Sequence, residues 1–203
     1  MQAKSREWFD DVYSLAKDFP TFAVFTNEVK YEDMLKMLKN YNYKTKRIEE
    51  DARFLTDMFA RLYKHIPSEE DFMEEKTRIL EELTPKLKEK IGWVETVVSF
   101  GKIKGDIDLC LISPSGISEE KLFKTLPRND PILSEYPLVD FGTLLYFKCK
   151  NGEEFADRII KNSENLKYDK ERLKQNLYSA RLMWGNGQEI DIMKSRLEQF
   201  LQN

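Results

Sequence analysis

The stretch VVSFGKIKGDIDLCLIS, residues 97–113, decides how the rest of the chain is interpreted. Its first apolar residues predict one strand, residues 101–105 a tight basic turn, and residues 106–112 a second strand. Side chains alternate along a strand, so Asp106 and Asp108 project from one face and Ile107 and Leu109 from the other. The sequence therefore predicts two carboxylates held side by side, directly after a glycine turn.

Two carboxylates this close favour a cation. At about 4 Å, two like charges repel by about 4 kcal/mol at an effective dielectric constant near 20. A bound cation or a shared proton relieves that repulsion, and hard divalent cations such as Mg²⁺ prefer oxygen ligands. A solvated pair at the edge of a sheet is the alternative. The seven preceding residues, 99–105, contain Ser99, Lys102, Lys104 and two glycines. They form a basic turn of phosphate size, which favours a metal and phosphate site.

Composition limits the classes of protein and partner. The chain has 203 residues and a formal net charge of -3, which predicts one domain or two small subdomains and no strong non-specific attraction to DNA. Cys110 and Cys149 lack the spacing of a disulfide framework or a zinc site, as expected in a reducing compartment. Because no apolar run reaches transmembrane length, we expect a soluble intracellular protein, nuclear or cytoplasmic, with no membrane partner.

Glycine usage divides the chain into two regions. All glycines lie from Gly92 onward, and apolar residues recur at helical spacing before it, with Ser68 and Asp71 predicting the start of a helix that runs to about residue 83. Beyond the acidic strand, the pattern predicts a helix capped by Ser118, a strand at 144–147 and a helix at 153–161. A hairpin of 177–184 and 189–193 follows, joined by a Gly-Asn-Gly turn. The predicted fold class is α+β, with an all-helical N-terminal subdomain at 1–91.

The acidic strand and its turn resemble the palm of family X DNA polymerases, the polymerase β group of the nucleotidyltransferase superfamily. Ser99 and Phe100 match the Ser-Phe of the family's Gly-Ser-Phe turn, and Gly105, Asp106 and Asp108 match its Gly-Asp-x-Asp. In the family, this motif supplies two metal ligands beside the incoming triphosphate.

The resemblance extends along the chain, with departures. Ile66 and Pro67, followed by acidic residues, match the segment that leads from the fingers into the palm. Val98 stands in place of the family's glycine, Gly101 and Lys102 stand in place of its arginines, and the turn is shorter. The resemblance implies fingers-like helices at 1–91, a nucleotidyltransferase palm at 92–141 and a small thumb-like α/β part at 142–203.

The resemblance also implies the site residues. It makes Asp140 the third catalytic carboxylate and metal ligand beside Asp106 and Asp108, with two Mg²⁺ ions bound and Mn²⁺ as a substitute. A strand carrying Asp191 is the alternative source of the third ligand, as in minimal nucleotidyltransferases. The remaining implied nucleotide contacts are phosphate contacts from Ser99, Lys102 and Lys104, and sugar contacts from Tyr146 and Phe147.

The function implied by the resemblance is a compact DNA polymerase that adds dNMP from a nucleoside triphosphate to a primer 3′-hydroxyl in short-gap DNA repair. Lys44, Lys46 and Arg47 belong to a basic cluster that could meet the backbone of primer-template or gapped DNA, or that only forms a solvated helix face. Two alternatives remain: a template-free nucleotidyltransferase acting on RNA, protein or a small molecule, and a catalytically weakened relative that binds nucleic acid or serves as a scaffold.

Overall fold

The structure is a computed structural model that describes residues 1–19, 29–40, 47–165 and 170–202, apart from the side chains of residues 145, 146 and 163–165. The chain forms two compact units, Met1–Asp71 and Phe72–Asn203. The fold is α+β, as the sequence predicts. None of the helices in the described residues combines the length and apolar character that a membrane crossing requires.

The described part of the first unit is helical. It contains α1 (Ala3–Asp18), α2 (Tyr31–Asn40), α3 (Ile48–Lys64) and the start of α4 (Glu69–Ile91). Each of the first three helices buries one apolar face, formed by Trp8, Phe9, Val12 and Leu15, by Met34 and Leu38, and by Ala52, Leu55, Phe59 and Leu62. The indole N–H of Trp8 donates to the Leu62 carbonyl at 2.9 Å, which ties α1 to the end of α3.

The start of α4 confirms the predicted cap. The Asp71 main-chain N–H donates to Ser68 Oγ at 3.1 Å, and Ser68 Oγ donates to Asp71 Oδ2 at 2.8 Å. The helix does not end near residue 83, as the sequence predicts, but runs through Pro85 to Ile91. It continues because Leu83, Leu87 and Ile91 extend the buried stripe at four-residue spacing.

The sheet lies in the second unit. Strands β1 (Thr96–Phe100) and β2 (Ile107–Ile112) form the predicted antiparallel pair, with β5 (Arg181–Trp184) beyond β1. Two short strands pair with β2 in parallel: β3 (Val139–Asp140) at its first residues and β4 (Lys148–Cys149) at its last. The central strand β2 therefore has a short parallel neighbour at its start, β3, and another at its end, β4.

Within its described residues, this unit also contains six further helices. They are α5 (Glu119–Thr125), α6 (Ile132–Glu135), α7 (Phe141–Tyr146), α8 (Gly152–Asn165), α9 (Lys170–Ser179) and α10 (Gly187–Gln202). Ser118 Oγ accepts from the Lys121 N–H at 3.3 Å, which confirms the predicted cap of α5. One face of β1 and β2 packs with residues of α8, α9 and α10 in a continuous core.

Two predicted strands are wrong. Residues 144–147 belong mainly to helix α7, because the Asp140 side chain caps that helix by accepting from the Gly142 and Thr143 N–H groups. Only Arg181–Trp184 of the predicted C-terminal hairpin is a strand, and it pairs with β1. Its supposed partner lies in α10, where Ile190, Met193 and Leu197 are buried at helical spacing.

The division into units also differs from the predicted subdomains at 1–91, 92–141 and 142–203. The boundary lies near the start of α4, after Asp71, because most of that helix belongs to the second unit. Residues on both sides of position 141 contribute to one sheet and one core. The predicted palm and thumb-like parts therefore form a single compact unit.

Candidate metal centre

The register of the sheet sets Asp108 between two neighbours. Asp108 pairs with Phe100 across the antiparallel β1–β2 ladder and with Asp140 across the parallel β2–β3 ladder. Directly paired residues project from the same face of a sheet. The short strand β3 therefore carries Asp140 to the side of Asp108, although the two residues are far apart in the sequence.

Three carboxylates converge at this point. One oxygen from each of Asp106, Asp108 and Asp140 lies within 4.8 Å of the other two, and all three residues are half-buried. The group could hold a metal ion. Carboxylate oxygens are the ligands of hard cations such as Mg²⁺, Mn²⁺ and Ca²⁺. The alternative third ligand, Asp191, lies exposed on α10 and is not part of this group.

The orientation of Asp140 is set by helix α7. Its Oδ1 accepts hydrogen bonds from the Gly142 N–H at 2.8 Å and from the Thr143 N–H at 3.4 Å. Asp140 is therefore the N-cap of α7 as well as a member of the acidic group. The cap leaves Oδ2 directed to the Thr143 hydroxyl, at 2.7 Å.

Thr143 was not singled out by the sequence. Its Oγ1 lies 2.7 Å from Asp140 Oδ2 and 2.9 Å from Asp108 Oδ1, so it bridges two of the three carboxylates. A threonine three residues after an aspartate is compatible with the first turn of a capped helix. The sequence pattern predicts a strand at 144–147, and a strand there gives no reason to expect a helix cap at Asp140.

Electrostatics single out Asp108 within the group. Burial raises its pKa to about 7, and the Asp106 and Asp140 carboxylates act in the same direction. The Thr143 hydrogen bond and the charge of Lys76 oppose the rise. A carboxylate held this close to two others, with little solvent, is stabilised in its charged form by a cation.

Gly101 permits the close approach of the turn to the acidic group. Its φ is +123°, a conformation that L side chains rarely adopt. A Cβ at this position would lie 2.8 Å from the Asp106 carbonyl oxygen and 3.0 Å from Asp108 Oδ2. The glycine is therefore required both by the backbone and by the carboxylate packed against it.

Two buried side chains hold this turn. Lys76 of α4 donates from Nζ to the Lys102 carbonyl and, at 3.1 Å, to the Asp106 carbonyl. Ser179 Oγ, at the end of α9, donates to the Gly101 carbonyl at 2.6 Å. Burial lowers the pKa of Lys76 to about 8, while the Asp106 and Asp108 carboxylates act to raise it. The Lys76 ammonium group therefore lies near the acidic group and is hydrogen-bonded to main-chain oxygens of the turn.

The sequence carries a signal for the role of Lys76. It occupies a position of the buried stripe of α4, four residues after Phe72 and three before Ile79. A lysine inside an apolar helix stripe is rarely buried without polar partners. Ser179 left no comparable signal, because its role depends on the end of α9 meeting the turn.

The predicted phosphate-binding residues do not all face the acidic group. Ser99 is buried and donates to the Arg181 carbonyl at 3.4 Å. It pairs with Leu109, so its side chain projects from the sheet face opposite to that of Asp108. Lys102 and Lys104 lie on the turn beside Asp106, exposed and half-buried respectively.

The predicted sugar contacts fall at the end of α7. The side chain of Tyr146 lies outside the described part of the structure. The Phe147 ring lies 5.0 Å from the Phe100 ring and 5.5 Å from the Phe155 ring, measured between centroids. It is partly buried and packs against the core of the second unit.

The predicted DNA-backbone cluster is described only at Arg47. Lys44 and Lys46 lie outside the described residues. Arg47 precedes α3 and forms an exposed ion pair with Glu50 at 3.6 Å, so a carboxylate accompanies its charge. Exposed pairs of this kind contribute little to stability.

Comparison of the chain with protein-family models, with curated proteins and with solved structures gives no match. The likeness to family X polymerases therefore rests on the residues quoted above.

Proposed function

We propose that the second unit is a metal-dependent nucleotidyltransferase, and that its reaction is the addition of dNMP from a nucleoside triphosphate to a primer 3′-hydroxyl. The observation that carries the proposal is the convergence of Asp106, Asp108 and Asp140. The glycine turn packed against them is the second support, because the resemblance assigns triphosphate binding to this turn.

Each residue has a role in this proposal. Asp106 and Asp108 would hold the cations, and Asp140 would hold one of them and orient the acceptor hydroxyl. Lys102 and Lys104 would contact the phosphates from the turn. When two divalent cations are bound, they lower the pKa of the attacking hydroxyl and neutralise charge on the leaving pyrophosphate. Mg²⁺ fits the oxygen-only ligand set, with Mn²⁺ as a substitute.

The test is a transfer assay with labelled dNTP or NTP, Mg²⁺, and gapped, primed or no template. Extension that requires a template supports a DNA polymerase. Asp106→Asn should lower the rate by a factor of about 100 to 1,000, since it removes charge stabilisation in the transition state. Asp191→Asn is the matched control and should retain the wild-type rate.

The alternative functions are outcomes of the same assay. Transfer without a template would indicate a template-free nucleotidyltransferase acting on another acceptor. Absence of transfer in every arm, with nucleic-acid binding retained, would indicate a binding or scaffolding protein. Transfer at the wild-type rate by Asp106→Asn would contradict the proposed site.

A further inference from the structure

Thr143 contacts two carboxylates at once. Its hydroxyl oxygen lies 2.9 Å from Asp108 Oδ1 and 2.7 Å from Asp140 Oδ2. Its main-chain N–H also donates to Asp140 Oδ1, at 3.4 Å. A single residue therefore connects the carboxylate on β2 with the carboxylate that begins α7.

The chemistry of a hydroxyl limits what this bridge can do. A threonine hydroxyl has one proton, so it can donate to only one of the two carboxylates at a time. By donating to one carboxylate, the hydroxyl offsets part of the electrostatic repulsion between the two. It brings no positive charge, so the negative charge that attracts a cation is preserved.

We propose that Thr143 is the positioning residue of the metal centre: its hydroxyl holds Asp108 and Asp140 at a separation that suits a divalent cation before the cation arrives. The inference rests on the proposed function, because it requires a cation among the three carboxylates. It does not depend on which group the enzyme transfers or on which acceptor receives it. Side chains that orient metal ligands typically contribute about 10- to 100-fold to metal affinity.

Two substitutions isolate the hydroxyl. Thr143→Val keeps the branched shape and the main-chain N–H, so the Asp140 cap of α7 is retained, but it removes the bridge. Thr143→Ser restores a hydroxyl. Thr77→Val is the matched control, because Thr77 is an exposed threonine of α4 whose hydroxyl donates to the Met73 carbonyl at 2.8 Å.

The experiment is a titration with Mn²⁺ alone, followed by electron paramagnetic resonance, with thermal unfolding in EDTA measured in parallel. Thr143→Val should weaken Mn²⁺ binding about tenfold, Thr143→Ser should restore most of the affinity, and Thr77→Val should bind like the wild type. Unchanged or tighter binding by Thr143→Val overturns the inference, even if that variant is less stable in EDTA. Binding by Thr143→Ser as weak as that of Thr143→Val overturns it too.

The same titration separates this inference from the proposed function. If the wild type binds Mn²⁺ and transfers no nucleotide, the nucleotidyltransferase proposal fails and the role of Thr143 is still decided by the variants. If the wild type binds no Mn²⁺, the metal centre and the role of Thr143 are both overturned.

Discussion

Asp71 and Asp108 both lie within hydrogen-bonding distance of hydroxyl groups, but the consequences for the two carboxylates differ. Asp71, at the start of α4, is buried and accepts at Oδ2 from Ser5 and Ser68, both at 2.8 Å. Asp108, on β2, has the Thr143 hydroxyl at 2.9 Å. The hydrogen bonds from Ser5 and Ser68 lower the pKa of Asp71, whereas burial and the nearby carboxylates raise the pKa of Asp108 to about 7.

The difference between the two aspartates indicates what each one does. The carboxylate of Asp71 has donors on both oxygens, since the Gln2 main-chain N–H donates to Oδ1 at 3.3 Å. Its charge therefore stabilises the fold. The charge of Asp108 is held among like charges, and such an arrangement is typical of a site where stability is given up for function.

The largest effect that we expect on stability follows from Gly101→Ala. The new Cβ would meet the Asp106 carbonyl and Asp108 Oδ2, and the backbone would be strained, so the free energy of unfolding should fall by about 1–3 kcal/mol. Chemical denaturation measures this change, and Mn²⁺ affinity should fall with it. Gly116→Ala is the control: its φ is +83°, but no atom lies within 4 Å of the added Cβ. A Gly116→Ala protein that lost Mn²⁺ affinity as severely would show that the contact with Asp108 is irrelevant.

Asp108→Asn and Asp71→Asn should act in opposite directions. Neutralising Asp108 removes a desolvated like charge, so the metal-free protein should gain about 1–2 kcal/mol in free energy of unfolding. Neutralising Asp71 removes a charge that the serine hydroxyls stabilise, and the protein should become less stable. Thermal unfolding in EDTA compares the two. Loss of stability in both variants would mean that the Asp108 charge is structural, like that of Asp71.

Ser68→Ala tests the donors of Asp71. The Ser68 hydroxyl donates to the Asp71 side chain and accepts from the Asp71 main-chain N–H, so its removal should lower the free energy of unfolding by about 1 kcal/mol. Ser118→Ala removes the cap of the short, partly exposed helix α5 and should have a smaller effect. Equal losses in urea denaturation would indicate that the Asp71 side chain adds nothing to the cap.

The smallest effect that we expect is a pH dependence of the stability that the Asp71 carboxylate contributes. Because the folded-state pKa of Asp71 is lowered, its stabilising contribution is present above the unfolded-state pKa of about 3.9 and is lost as pH falls through the folded-state value. The difference in melting temperature between wild type and Asp71→Asn should therefore shrink as the pH falls below about 4. A difference that stays constant between neutral pH and pH 2 would contradict the assignment.

Short-range patterns predicted much of this structure. The strand, turn and strand around Asp106 and Asp108 depend on alternation and glycine, which act over a few residues. The Ser68 and Ser118 caps are equally local. The apolar run at 144–147 is ambiguous between helix and strand by itself, and the outcome depends on the Asp140 cap.

Other features required knowledge of long-range pairing. Asp140 is next to Asp108 only because β3 pairs with β2, and Ser99 is turned away only because it pairs with Leu109. Thr143 bridges carboxylates that are far apart in sequence. A residue that orients the site, such as Thr143, is therefore harder to predict from sequence than Asp106 and Asp108, which form a local motif.

The most direct test of the metal centre is a calorimetric titration with Mg²⁺ or Mn²⁺, with and without nucleotide, of the wild type, Asp140→Asn and Asp191→Asn. Asparagine is as good an N-cap as aspartate, so Asp140→Asn should keep α7 while it removes the charge and replaces the Oδ2 acceptor of the Thr143 hydroxyl with an amide donor. We predict that the wild type and Asp191→Asn bind the cation alike and that Asp140→Asn binds at least about tenfold more weakly. Wild-type affinity in Asp140→Asn, or no uptake of either cation by the wild type, would contradict a cation site formed by Asp106, Asp108 and Asp140.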